Sequence, residues 1–148
     1  MQTLVTFVFK FLAALPLAWL HKLGNLLGSL GFRVLSKDRR RVFENMKLAG
    51  LNPTDEAVKK VFRETAKGGL EFPVAFFRRP EEIENLFVSV NGWEHVQTAL
   101  SAGEGLLFIT PHIGSYDLAG RYISQQLPFP LTAMYKPPKI KAFDAVMQ

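Results

Sequence analysis

The chain has 148 residues, enough for one ordinary domain with its own apolar core. Its 18 Lys and Arg outnumber its 13 Asp and Glu, and the formal charge of +5 favours a polyanionic partner such as nucleic acid, an anionic membrane or an acidic carrier protein. Because cysteine is absent, a disulfide framework and a thiolate metal site are excluded.

The first predicted element is an apolar segment, LVTFVFKFLAALPLAWL, which runs from Leu4 to Leu20 with Lys10 as its only Lys, Arg, Asp or Glu. The stretch LGNLLGSLGF follows at once. A bilayer-spanning helix needs about 20 mostly apolar residues, so the segment predicts a single span or an interfacial anchor. A helix buried in a soluble core is the alternative, and a signal peptide fits less well because no basic side chain precedes Lys10. The basic residues that follow would leave the rest of a spanning chain in the cytoplasm.

The next segment, SKDRRRVFENMKLAGL, predicts a basic helix with Ser36 as its N-cap and Gly50 just beyond its end. Four basic residues within residues 37–41 can face lipid headgroups, or simply water. Nucleic-acid binding is a weaker use of this charge, since no zinc-finger spacing or aromatic-interleaved basic motif accompanies it.

A second helix is predicted within residues 52–77. Thr54 can cap it, two acidic residues suit its first turn, and Pro73 should kink or end it. Its apolar residues recur at three- and four-residue spacing, which predicts a buried face. Three phenylalanines near its end favour core packing, with an acyl-chain groove as the alternative: Phe72, Phe76 and Phe77.

After Pro80 the pattern predicts strands at residues 86–90, 106–110 and 131–135, separated by helices, with one more helix beginning near residue 140. Alternating strands and helices predict an α/β fold: a membrane-anchoring and helical N-terminal region, then part of a mixed, mainly parallel sheet with flanking helices. We divide the chain into an anchor, a helical region and an α/β part, which are residues 1–35, 36–86 and 87–148.

The candidate chemistry lies in GLLFITPHIGSYDLAG. His112 follows the predicted strand at 106–110, and Asp117 falls in the first turn of the next helix. Ligands of open α/β sheets bind at the carboxyl ends of strands. If Gly114 lets the chain turn back, the carboxylate can fix the imidazole tautomer and leave Nε2 free to accept a proton from a hydroxyl. The same spacing also fits an ordinary strand-end histidine beside a helix N-terminal carboxylate.

Other chemistries find less support in these residues. Ser115 is not a nucleophile elbow, because Ile113 and Asp117 stand where G-x-S-x-G requires glycine. A metal site lacks a third ligand at suitable spacing, since His21 and His95 belong to other segments. Neither a P-loop nor a dinucleotide-binding glycine pattern is present.

The stretch VSVNGWEHVQTALSAGEGLLFITPHIGSYDLAG resembles the core of the bacterial lipid A biosynthesis acyltransferases of the lauroyl/myristoyl type, within the glycerolipid acyltransferase superfamily. The resemblance extends to the N-terminal apolar segment, to residues 41–45, and to MYKPPKIKAFDAVM, which is similar to a Tyr-basic-Pro block of that family. It covers nearly the whole chain, and the ordered blocks are more specific than H-x-x-x-x-D alone.

The resemblance implies acyl transfer from an acyl carrier protein thioester to a hydroxyl of a lipid A precursor, without a cofactor or metal. His112 would be the general base and Asp117 its orienting partner. The remaining implied site residues are Gly114 and Ser115, which would shape the loop, and Arg121 and Lys136, which are candidates for substrate contact. Arg121 also suits a surface ion pair with Asp117.

The implied partners are the carrier protein, the lipid A precursor and membrane lipids, with no nucleic acid. The implied location is the cytoplasmic face of the cell inner membrane. Family members continue with further strands, so we expect this chain to be a truncated, weakly active or inactive form. A non-catalytic membrane-anchored basic adaptor and a metal-dependent hydrolase are the alternative classes.

Overall fold

The computed structural model of the chain describes residues 2–134, and the regular structure in that range is helical. The long helix α4 forms the centre of the fold, because α1, α2, α3 and α7 all pack against it. Seven helices follow one another along the described chain: α1 (Gln2–Ala14), α2 (Leu17–Val34), α3 (Ser36–Leu48), α4 (Asp55–Phe77), α5 (Pro80–Glu84), α6 (Trp93–Ser101) and α7 (Tyr116–Gln126).

The predicted α/β fold with a mainly parallel sheet is wrong, because residues 2–134 contain no strand. The segments 86–90, 106–110 and 131–134 lack the sheet pairing that was predicted for them. The side chains of Leu107 and Ile109 are 85% and 87% exposed, whereas a strand inside a sheet would bury them. A strand is stable only when neighbouring strands take up its N–H and C=O groups, and the described residues supply no such neighbour.

The predicted helices of the described range are confirmed. Thr54 caps α4 as expected, since its Oγ1 accepts a hydrogen bond of 3.2 Å from the N–H of Ala57. Gly50 follows the end of α3 in a left-handed conformation, with φ of 74°, and its N–H bonds to the carbonyl of Lys47 at 3.0 Å. The final predicted helix, near residues 140–148, lies outside the described residues.

The predicted N-cap of α3 is wrong, and of the two outcomes predicted for Pro73, a kink or the end of the helix, the end is wrong. Ser36 is already the first residue of α3 and makes no capping bond; a single residue, Leu35, joins it to α2 and leaves no room for an extended serine cap. Pro73 lies inside α4, which continues to Phe77. Proline removes one helix hydrogen bond. The turn survives because Pro73 and the two residues after it are buried in the core.

A sharp corner at Pro16 divides the predicted N-terminal apolar segment into α1 and α2. The guanidinium of Arg78, which follows α4, holds this corner. Its Nε donates to the carbonyl of Ala13 at 2.9 Å, and its Nη2 donates to the carbonyl of Leu15 at 2.7 Å. These carbonyls lack helical partners because α1 ends beside them, so Arg78 satisfies polar groups that the corner would leave unpaired.

Helices α2 and α4 approach until their backbones touch. A Cβ atom placed on Gly28 would lie 2.4 Å from Cα of Arg63 and 2.6 Å from the carbonyl oxygen of Phe62. One turn earlier, a Cβ on Gly24 would lie 2.8 Å from Cγ of Lys67. Since non-bonded carbon atoms need about 3.5–4.0 Å, only glycine permits this separation. We call this contact the glycine seam.

The buried core joins segments that are distant in the sequence. Its contributions come from α2, α4, α5 and α7, and the buried side chains are Leu20, Val74, Ala75, Ile83 and Leu118. Tyr122 packs at its edge, with its ring centroid 4.3 Å from that of Phe87. Through Leu118 and Tyr122, α7 is held against the helices that precede it.

Within the described residues, no single helix combines the length and the hydropathy of a membrane span. Thr3–Ala14 and Leu17–Val34 meet that standard only as a pair, and the chain bends by 116° between them.

We expect Gly28→Ala to lower the free energy of unfolding by about 1–3 kcal/mol, because the new methyl group must push the two helix backbones apart. Chemical denaturation followed by circular dichroism measures this loss. Gly120→Ala is the matched control, since Gly120 is helical and a Cβ there meets no atom within 4 Å. The control should gain up to about 1 kcal/mol from helix propensity. Equal stability of the Gly28→Ala and parent chains would contradict the glycine seam.

Candidate active site

His112 lies on the irregular segment between α6 and α7, and its side chain is exposed. The imidazole packs on the ring of Tyr116, the first residue of α7, with ring centroids 4.4 Å apart and planes tilted by 55°. This contact fixes the position of the imidazole at the start of the helix. The rest of the residue is exposed to solvent.

The carboxylate of Asp117 interacts electrostatically with His112. Asp117 is partly buried in the first turn of α7. Burial raises the pKa of the Asp117 carboxyl, and the opposing effect of the neighbouring imidazole is smaller. The pKa of the Tyr116 hydroxyl is also raised, first by burial and then by the charge of Asp117. His112 and Asp117 therefore lie close enough to interact electrostatically, and Tyr116 lies beside both.

Gly114 gives the loop its turn. Its φ of 63° lies in the left-handed region, which favours glycine because other side chains clash there with the backbone. Ser115 then occupies the N-cap position of α7, although its side chain makes no capping hydrogen bond. Its carbonyl instead accepts the N–H of Ala119 at 3.0 Å. Both residues shape the path from His112 into α7.

Two predicted site residues remain, Arg121 and Lys136. Arg121 is exposed one turn after Asp117 on α7, and no ion pair joins these two residues in the described structure. Its guanidinium therefore faces solvent. Lys136 lies outside the described residues.

Helix α4 supports the loop from behind. A Cβ on Gly68 would lie 3.9 Å from the carbonyl oxygen of Gly114, which is ordinary van der Waals contact. The bare backbone of α4 therefore passes close to the turn of the site. Leu118, directly after Asp117, is buried in the core with residues of α4. The loop consequently has one rigid neighbour below it and solvent above it.

Sequence reasoning missed a histidine–carboxylate contact elsewhere in the fold. Nε2 of His21 on α2 lies 2.5 Å from Oε1 of Glu71 on α4, whose side chain is only 12% exposed. The two residues are 50 positions apart. In the sequence, His21 and Glu71 stand out only as polar residues within apolar helical segments. This contact reinforces the α2–α4 packing about one turn from Gly68, and thus supports the helix behind the site.

Among residues 2–134, no group of three or more His, Asp and Glu side chains is arranged to hold a metal ion. The side chains at the loop are an imidazole, a carboxylate and a phenol, which are groups that can transfer protons.

The family model described as bacterial lipid A biosynthesis acyltransferase matches residues 1–148. The chain belongs to this family of acyltransferases, as its sequence pattern indicated. No curated protein and no solved structure matches the chain.

The raised pKa of Asp117 should make the stability of the chain depend on pH. Because the ionised carboxylate is less favourable in the folded chain than in the unfolded chain, stability is lost as pH rises from the ordinary aspartate pKa through the raised folded value. We expect Asp117→Asn to raise Tm at neutral pH. Well below the ordinary aspartate pKa of about 3.9, the substitution should leave Tm unchanged. Thermal unfolding at the two pH values measures this, and a lower Tm for the variant at neutral pH would contradict the assignment.

The left-handed turn makes a separate prediction. Gly114→Ala should cost about 1–2 kcal/mol of folding free energy, because a Cβ at positive φ meets its own backbone. Gly105→Ala is the control, since it lies in the same irregular segment without a positive φ and with open space around it. Denaturation curves of the two variants should differ by this amount, and matching curves would argue against the turn.

Proposed function

We propose that the chain transfers a fatty acyl group from an acyl carrier protein thioester to a hydroxyl of a lipid A precursor, with His112 as general base and Asp117 as its orienting partner. The observation that carries this proposal is the exposed imidazole beside a partly buried carboxylate at the start of α7. Membership of the acyltransferase family supplies the reaction class.

The proposed reaction begins when Nε2 of His112 removes the proton of the acceptor hydroxyl. The oxygen attacks the thioester carbonyl carbon, and the tetrahedral intermediate collapses with loss of the C–S bond. The imidazolium then returns its proton to the departing thiolate sulfur, so that atoms and charges balance. Asp117 stabilises the imidazolium between these steps, because an opposite charge nearby favours the protonated ring.

The structure has no hydrogen bond between His112 and Asp117 within the described residues, although the charge of the imidazole lowers the pKa of the Asp117 carboxyl against the larger effect of burial. In free enzymes such bonds are often long, and they tighten when substrate excludes water. Tyr116 supports the same geometry by packing on the imidazole. We therefore propose that a hydrogen bond between His112 and Asp117 forms when substrate binds.

The charge of the chain suits both proposed substrates. Carrier proteins that hold fatty acyl thioesters are acidic, and a phosphorylated lipid precursor is anionic, so a net charge of +5 favours encounter with either. Arg121 is the exposed cation nearest to the loop on α7 and is our candidate for contact with such a group. We place the reaction at the cytoplasmic face of the inner membrane, where the lipid acceptor is reached from the cytoplasm.

A non-catalytic membrane adaptor is the second candidate function. It is favoured by α3, which buries none of its side chains and presents a basic surface. Two of its arginines form exposed ion pairs with acidic residues of the same helix, Arg40 with Glu44 and Arg41 with Asp38. Such pairs contribute little to stability, so the helix keeps its arginines accessible to an anionic partner.

We expect His112→Ala to reduce acyl transfer by about 10²–10⁴-fold, the usual contribution of a general base. Transfer is measured by mass spectrometry of the lipid product, with acyl carrier protein thioester and lipid A precursor as substrates. His95→Ala is the matched control, because His95 is also an exposed histidine and lies on α6. The control should retain the parent rate.

Transfer by the parent chain separates the two candidate functions. Under the acyltransferase proposal, His112→Ala keeps the parent affinity for vesicles while transfer is lost. Equal, measurable transfer by the parent, His112→Ala and His95→Ala chains would contradict a catalytic His112, whereas vesicle binding without transfer by the parent chain would favour the adaptor.

A further inference from the structure

An apolar stripe runs along the outer sides of α1 and α2. On α2, Trp19 and Leu26 are each 66% exposed, and Leu30 and Val34 continue the row at four-residue spacing. Four large apolar side chains of α1 are exposed at the spacing of one helical side: Leu4, Phe7, Val8 and Phe11. Contiguous apolar surface of this kind marks a contact with another protein or with lipid.

The charges around the stripe favour lipid. Residues 1–35 contain no Asp or Glu, and Lys10, Lys22 and Arg33 are exposed beside the apolar side chains. Lysine and arginine can lay their aliphatic stems on apolar surface and hold their charges at the headgroups. Tryptophan, here Trp19, prefers the same interfacial depth. The stripe is therefore complementary to an anionic phospholipid surface.

The glycine seam restricts how α2 can enter a membrane. Its inner side touches the backbone of α4 at Arg63, and Nε of Arg63 donates to Oγ of Ser29 at 2.8 Å. The adjoining half of α4 carries charged side chains that pair with one another: Glu56, Lys59, Arg63, Glu64 and Lys67. If α2 crossed the hydrocarbon while attached to α4, these charges would be carried into it. Each charge at the membrane centre lowers the insertion equilibrium by about two orders of magnitude.

The corner between α1 and α2 is also fixed. The bend of 116° brings the apolar stripes of both helices into one hairpin, and Arg78 bonds the carbonyls of Ala13 and Leu15 at its tip. Phe9 on the inner side of α1 packs against Phe72 of α4, with ring centroids 5.9 Å apart. Both arms of the hairpin are thus held on α4 by their inner sides and are free on their outer sides.

We propose that α1 and α2 form an interfacial hairpin that lies in one leaflet of an anionic phospholipid membrane, with both ends on the same side, and does not cross the bilayer. Amphipathic helices with basic flanks and exposed Trp, Phe and Leu bind membranes in this way. Attachment of this kind is independent of acyl transfer, because the His112 loop takes no part in it.

Cysteine labelling tests the sidedness, since the chain contains no natural cysteine. Single-cysteine variants Thr3→Cys and Lys37→Cys are added to preformed vesicles of phosphatidylcholine and phosphatidylglycerol, and a membrane-impermeant maleimide is added outside. Thr3 and Lys37 are exposed at the two ends of the hairpin. We expect complete labelling of both. Labelling of one position only after detergent is added would establish a crossing and overturn the hairpin.

Fluorescence quenching tests the depth. The chain has two tryptophans, so Trp93→Phe leaves Trp19 as the only one. Lipids that carry a nitroxide near the headgroup should quench Trp19 more strongly than lipids that carry it at the end of the acyl chain. Stronger quenching from the bilayer centre would overturn an interfacial position.

Partitioning tests the stripe itself. We expect Leu26→Glu to lower the vesicle partition coefficient at least about tenfold, because it replaces an apolar contact by a charge that anionic lipid repels. Val88→Glu is the matched control, since Val88 is fully exposed but lies outside the hairpin; it should change the coefficient less than twofold. Equal losses for the two variants would overturn the stripe as the lipid contact. None of these measurements depends on the acyl-transfer proposal.

Discussion

The close approach of α2 and α4 is the constraint on which the rest of the structure depends. Gly24 and Gly28 allow the two backbones to touch at Lys67 and Arg63, and any larger side chain there would force the helices apart. Close packing gains dispersion energy along the whole contact but tolerates little change in volume. The hydrogen bond between His21 and Glu71 adds a directional contact beside the glycine seam.

Helix α4 supports both the hairpin of α1 and α2 and the loop that carries His112. Its N-terminal half holds α2, whose outer side carries the apolar stripe, while Gly68 passes beneath the turn at Gly114. Leu118 ties the helix after His112 to the same core. A lipid surface on the hairpin would therefore keep the proposed base at a fixed distance from the membrane that holds its acceptor. In our proposal, this shared support is the structural reason for combining a membrane-binding hairpin and the His112 loop in one chain.

Local features of the sequence predicted local features of the structure. Thr54 and Gly50 mark helix ends because capping involves atoms only a few residues apart. The turn at Gly114 was predicted for the same reason, since it depends on residues next to it in the chain. The sheet was predicted wrongly because apolar runs such as residues 106–110 resemble strands locally, whereas a strand depends on partners elsewhere in the chain. Gly24 and Gly28 stand four residues apart in the sequence, but no nearby residue identifies α4 as the helix that they contact.

The central claim is that His112 and Asp117 act as one unit in acyl transfer, and a double-mutant cycle on kcat/KM tests it most directly. The chains compared are the parent, His112→Ala, Asp117→Asn and the double variant. Residues that act together show strongly non-additive losses. Our account predicts that the double variant is no slower than His112→Ala alone. A double variant whose loss equals the product of the two single losses would contradict it, because the two side chains would then contribute independently.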